Sequence, residues 1–252
     1  MSSQQLASFT IPGGNFGYTG AAVDDLTSFS NCIALSLLDE SGSTRSFAPL
    51  MEAAMNKVTK FLRKSPEADK IIWGHWQFDT NLREAMGLTP LPQVPDDQFD
   101  GCWAGGGRTA LYFGETRMHE IMRDYAKQQA EKRYTCNGIL ITMTDGYNYT
   151  VNGDPGHSFN EETAKKAFAE TVINEDLESL TSILIGINSD KHVQENLKQH
   201  ADEVGYTRYL PVEEADEATL AKIANFISMS IQTQSQSVGT GGPSQKIASL
   251  TF

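Results

Sequence analysis

Five residues in this chain have the types and spacing that hold a hard divalent cation. Asp39, Ser41 and Ser43 form an Asp-x-Ser-x-Ser run, Thr109 follows Gly105-Gly106-Gly107-Arg108, and Asp145 stands in Thr144-Asp145-Gly146. All five offer oxygen, with no thiolate or imidazole among them. That set suits Mg2+, with Mn2+ or Ca2+ as alternatives, better than Zn2+. Two carboxylates just neutralise a divalent ion and leave coordination positions open to an incoming carboxylate. Asp-x-Ser-x-Ser alone is a weak signal, because Asp and Ser at a strand-to-helix turn often only cap the helix. Its force lies in the order of the three motifs and in the elements that carry them.

Hydrophobic patterning supplies those elements. Residues 32–38 are a nearly continuous apolar run, suited to a strand buried on both faces, and it stops at Asp39. Phe47, Leu50, Met51, Ala54, Met55, Val58, Phe61 and Leu62 repeat on one helical face, with Ser46 as N-cap and Pro49 in the first turn. Strands are expected over 71–78, 137–144, 180–187 and 206–212, and a short edge strand over 82–91. A loop over 92–108 leads into a long helix over 109–132, and further helices are expected over 160–174 and 192–204. Leu220, Ile223, Ala224, Ile227 and Ile231 mark the last helix. This alternation predicts an α/β fold, a doubly wound, mostly parallel six-stranded sheet with one antiparallel edge strand and helices on both faces. Ligands of such sheets bind beyond the carboxyl ends of the strands, where Asp39 and Asp145 fall.

Residues 1–30 contain Gly13, Gly14, Gly17 and Gly20 and read as a glycine-rich extension of turns and short extended pieces. The domain proper is expected over 31–231. Residues 232–252 read as a Gln-, Ser- and Gly-rich tail whose closing 247–252 is apolar enough to dock somewhere.

The three motifs together resemble the metal-ion-dependent adhesion site of the von Willebrand factor type A domain family, over roughly residues 31–231. The resemblance implies a doubly wound sheet and an Mg2+ site that captures an acidic residue of a protein ligand. It implies that Ser41 and Ser43 ligate directly, Thr109 directly or through water, and Asp39 and Asp145 largely through water. Arg108 departs from the pattern, since Gly more often precedes the Thr, and Tyr147-Asn148-Tyr149 follows the Asp-Gly. Glu40, Arg108, Tyr147 and Asn148 flank the five and are candidate partner contacts. The resemblance extends to intracellular bacterial or phage members, including those of stress and tellurium-resistance clusters, which work as adaptors beside an ATPase, kinase or phosphatase.

Composition narrows the partners. In 252 residues, 32 Asp and Glu outweigh 20 Lys and Arg, a formal charge of −12. That argues against nucleic acid and anionic membrane as partners. Cys32, Cys102 and Cys136 are odd in number and widely spaced, which fits a cytoplasmic location, and no secretory leader or membrane span is read. The five histidines (His75, His119, His157, His192, His200) show no ligand spacing and are expected to be surface or capped residues. Trp73 and Trp76 fall on opposite strand faces, as core residues. The glycine-rich stretch lacks the Lys of a phosphate loop.

The leading expectation is a non-enzymatic, metal-dependent protein-binding module. One alternative is an Mg2+-dependent phosphohydrolase, for which a nucleophile is lacking: Ser41 stands where an acyl-phosphate enzyme would need a second Asp. The other is a metal-independent structural or assembly protein.

Overall fold

The computed structural model describes residues 6–12 and 15–238, and the tail beyond 238 lies outside the described residues. Eight strands form one sheet: β1 (Ala7–Thr10), β2 (Gly17–Gly20), β3 (Ser30–Asp39), β4 (Ile71–Phe78), β5 (Leu82–Pro90), β6 (Thr135–Thr144), β7 (Ser179–Ile187) and β8 (Arg208–Val212). Their spatial order is β1-β2-β5-β4-β3-β6-β7-β8. The run from β4 through β3, β6 and β7 to β8 is parallel, and β5 is antiparallel to β4.

The doubly wound, mostly parallel architecture is as expected, with two differences. The sheet has eight strands instead of six, because residues 7–10 and 17–20 of the glycine-rich segment pair with each other and β2 joins β5 at Gly20 and Leu88. The expected antiparallel edge is present, as β1 against β2, but β5 over 82–90 lies inside it and is not the edge strand. β1 and β2 lie outside β5, and Phe9 stacks on Tyr18 with ring centroids 5.2 Å apart.

The helices are α1 (Ala48–Leu62), α2 (Leu111–Glu131), α3 (Glu161–Val172), α4 (Lys191–Val204) and α5 (Glu217–Ser237). The period of two along β3 sorts the core into layers. Cys32, Ala34 and Leu38 pack with α1 and α5, and Ile33, Leu35 and Leu37 pack with α2. Trp73 joins the first cluster and Trp76 the second, the opposite faces that their spacing predicts. Ser46 does not cap α1: a single tight turn over Gly42–Ser46 intervenes, and Pro49 lies in the first turn of the helix, where no amide proton is required. α5 runs past Ile231 to Ser237, held where Asn137 at the start of β6 donates to the Gln234 carbonyl and the Ser237 hydroxyl.

Three histidines are core residues, contrary to the surface expectation: His75, His119 and His200 are buried, while His157 and His192 are exposed. His75 and His119 stay neutral because burial pushes their pKa down to about 3.

Candidate metal centre at the strand ends

Strand order reverses at β3, since the chain leaves β3 toward β4 on one side and later lays β6 on the other. The carboxyl ends of β3 and β6 flank that switch point, and side chains there converge in the crevice. Asp39 closes β3 and Asp145 follows β6 directly.

Hydrogen bonds join four of the five candidates. The Ser41 amide donates to Asp39 Oδ1 at 2.8 Å, and the Ser43 hydroxyl donates to Asp145 Oδ1 at 2.9 Å. The Ser41 and Ser43 hydroxyls are 3.2 Å apart. Thr144, not anticipated as part of the site, donates its hydroxyl to Asp39 Oδ2 at 2.6 Å. Asn188, also unanticipated, lies beyond β7 and donates to the Asp145 carbonyl at 2.6 Å.

Thr109 is placed by its backbone. Gly42 N donates to Gly107 O, tying the glycine-rich loop to the serine turn, and Tyr149 N donates to Thr109 O, tying it to the loop after β6. Glycine is required where this loop presses on its neighbours. A Cβ on Gly105 would fall 2.2 Å from the Glu40 carbonyl, and one on Gly107 would fall 2.3 Å from the Thr80 hydroxyl. Asp79 and Thr80, just beyond β4, accept the Gly107 and Arg108 amides and so suspend the loop.

The electrostatics single out this rim. Asp39 is 2% exposed. Burial is the largest influence on it, and with the nearby Asp145 charge it outweighs the bonds from Thr144 and Ser41, raising the Asp39 pKa to about 7. Burial also raises Asp145, against the Ser43 bond. Leu38, Phe47, Met51, Trp103, Met143 and Ile187 supply the low-dielectric wall around the pair. The donor set is thus two carboxylates and a group of hydroxyls, a chemistry that fits a hard divalent cation. Among the described residues, no group of three or more His, Cys, Asp or Glu is placed to hold a metal.

The flanking residues are used otherwise than the sequence suggests. Glu40 is buried, not presented to a partner: Arg83 donates to both its carboxylate oxygens, at 2.7 and 3.3 Å, and the Ala104 amide to one of them. Arg108 forms a two-pronged ion pair with Asp154, so its guanidinium holds the loop after β6. Asn148 caps the first turn of α2, accepting from Tyr112 N at 3.2 Å. Tyr147 remains on the surface with Tyr149, at 53% and 60% exposed. No spacing rule in the sequence could have paired Arg83 with Glu40 or Arg108 with Asp154.

No protein-family model matches the chain, and no curated protein matches it. Solved structures do. Proximal thread matrix protein 1 from the mussel byssus aligns at a TM-score of 0.55 and 20% identity, over 79% of this chain and 47% of that one. A second structure of that mussel protein, at 19% identity, is described as having a zinc-occupied metal-ion-dependent adhesion motif. The PilB minor pilin from Streptococcus sanguinis aligns at a TM-score of 0.54 and 12% identity, over 83% of this chain and 63% of that one. The von Willebrand factor domain of a type V pili tip protein from Porphyromonas gingivalis aligns at 0.55 and 12% identity, over 80% of this chain and 96% of that one. This chain spans about half of the mussel protein, whereas its alignment covers nearly the whole length of the pili-tip domain. The shared feature is the von Willebrand factor type A fold.

Proposed function

We propose that this chain is a divalent-metal-dependent protein-binding module and not an enzyme. Ser41, Ser43 and Thr109 would hold Mg2+ together with Asp39 and Asp145, and the ion would supply an open position for an Asp or Glu of the partner. The observation that carries this reading is the convergence of two buried carboxylates and the Ser41–Ser43 hydroxyl pair at the switch point, with no Lys, Arg or His among the described residues bonded to Asp39 or Asp145. Hydrolysis is disfavoured by the company these carboxylates keep: their hydrogen-bond partners are hydroxyls and amides, and Ser41 occupies the position of an aspartyl nucleophile. The adhesive and structural roles named for the similar proteins favour binding over catalysis.

The partner surface includes Tyr147 and Tyr149, presented beside the rim on a loop pinned by Arg108. Arg108 takes part by positioning that loop and not by clamping the partner's carboxylate. The finer setting within this reading is a cytoplasmic adaptor acting beside an ATPase, kinase or phosphatase. Among the described residues no helix is long and apolar enough to cross a membrane.

Calorimetric titration with Mg2+ tests the reading. The expected result is saturable binding by the wild type and none by Asp39→Asn, with partner capture lost on adding chelator. Equal Mg2+ binding by both proteins would overturn it.

A further inference from the structure

One buried carboxylate away from the rim has a histidine as its counter-charge. Glu115, in the second turn of α2, is 1% exposed. His200, near the end of α4, faces it with Nε2 2.9 Å from one carboxylate oxygen and 3.1 Å from the other. Tyr206, just beyond α4, donates its hydroxyl to Glu115 at 2.7 Å and lies 2.9 Å from the Thr142 hydroxyl of β6. Among the described residues no Lys or Arg pairs with Glu115. The Tyr112 ring of α2 covers the imidazole, with centroids 5.3 Å apart.

Because Nε2 faces both oxygens, it carries a proton whether the ring is neutral or charged. The second proton goes to Nδ1 and decides whether Glu115 meets a neutral donor or a cation. Nδ1 is buried with no partner among the described residues, so only the surrounding carboxylates reward that proton. Tyr206 supplies no charge, since burial first and then Glu115 keep its phenol protonated. The other charges acting on the ring are Glu161 of α3 and Glu203 of α4, which share the Lys165 ammonium at 2.6 and 3.5 Å. Burial, the largest single influence, opposes a charged ring, but Glu115, followed by Glu161 and Glu203, outweighs it and holds the His200 pKa above its ordinary 6.5. Once α4 leaves α2 the ring returns to its ordinary value. The docked helix therefore binds the proton more tightly than the released one, and the proton in turn favours docking. That contribution is complete below about pH 6.5 and is lost as pH rises through the raised native value.

α4 carries this pair at one end and a support of the rim at the other. Gln194, in its first turn, donates to the carbonyls of Gly186, Asn188 and Val212, and Asn188 donates to the Asp145 carbonyl at 2.6 Å. Between the two ends the helix rests on a small apolar cluster, in which Ala201 and Val204 meet Ala164 and Phe168 of α3 and Leu184 of β7. We propose that the Glu115–His200 pair is a proton-operated latch, which clamps α4 onto α2 when the ring is charged and loosens it when the ring is neutral. The latch needs no metal at the rim.

NMR titration of the His200 ring, combined with amide exchange, tests the latch in chelator. In the wild type His200 should titrate above pH 6.5. Glu115→Gln keeps an acceptor and removes the charge, so the His200 midpoint should fall by about one unit or more, tenfold in proton affinity. Exchange protection of residues 197–204, corrected for the intrinsic rate, should drop from pH 6.5 to pH 8.5 about threefold or more beyond any drop in His200→Gln. That comparison cancels the other titrating groups and holds even if Glu115→Gln fails to fold. The excess should be larger in α4 than in α1, which the pair does not touch. A wild-type midpoint at or below pH 6.5, or an unchanged midpoint in folded Glu115→Gln, overturns the charge pairing. Equal pH dependence in the wild type and His200→Gln, or an excess as large in α1 as in α4, overturns the latch.

Discussion

Asp39 and Glu40 are chain neighbours, both buried, and they meet opposite surroundings. Glu40 faces the Arg83 guanidinium and a backbone amide, so its charge is matched within the chain. Asp39 faces hydroxyl and amide donors and, beyond them, a second carboxylate. Burying a carboxylate without a counter-charge is costly, and here the cost shows as the raised pKa of Asp39. The contrast separates a carboxylate whose charge is matched within the chain from one that, on the proposed reading, is left for a metal.

The sharpest way to break this contrast is to substitute the neighbours in turn. Glu40→Ala strands Arg83 and removes the acceptor for the Ala104 amide, so it should cost about 3 kcal/mol, at the low end for a broken buried pair because Arg83 can reach solvent. Asp39→Asn should cost less than about 1 kcal/mol without metal, since the amide keeps an acceptor for Ser41 N–H and turns its NH2 toward the Thr144 hydroxyl. Urea denaturation of both variants in chelator measures the difference. Comparable losses would erase the distinction.

Acid provides the next effect, and its destabilising part belongs to the core, while the raised pKa of Asp39 at the rim acts in the opposite sense over the same range. His75 and His119 have native pKa values pushed to about 3 against 6.5 in the unfolded chain. The unfolded state therefore takes up protons first as pH falls, and stability is lost from about pH 6.5 down toward pH 3. At pH 5 each ring should account for about 2 kcal/mol relative to pH 7.5. Denaturation midpoints at the two pH values, with His119→Phe as the comparison, measure it: the variant should lose less on acidification than the wild type.

The smallest effect is Arg108→Ala. The melting temperature should move little, because the Arg108–Asp154 pair lies at the surface. The amides of Tyr149 and Val151 should exchange faster with solvent as the loop loosens, and partner affinity should fall while Mg2+ affinity holds. Unchanged exchange would mean that Arg108 does not position the loop.

Most of the fold was legible because its central strands are apolar on both faces and its helices carry one clean stripe, so β3, β4, β6 and β7 announce themselves. β1 and β2 were not legible as sheet: four residues each, in a glycine-rich segment, they become strands only through tertiary pairing. At the site, the ligand-type residues were readable because Asp-x-Ser-x-Ser is local. Thr144 and Asn188 were not, because their role depends on two strand ends meeting. The Glu115–His200 pair, 85 residues apart, left no trace in spacing, and His200 sits in a helix segment whose neighbours are polar.

The most direct test of the central claim is thermal unfolding of the wild type and of Asp145→Ala, each in Mg2+ and in chelator. A ligand that binds only the folded state at a hundredfold excess over its Kd adds about 2.7 kcal/mol, or roughly 5–10 °C for a chain of this size. The account predicts that Mg2+ raises the wild-type Tm by this order and leaves Asp145→Ala unmoved. An equal rise in both proteins, or none in either, would contradict it.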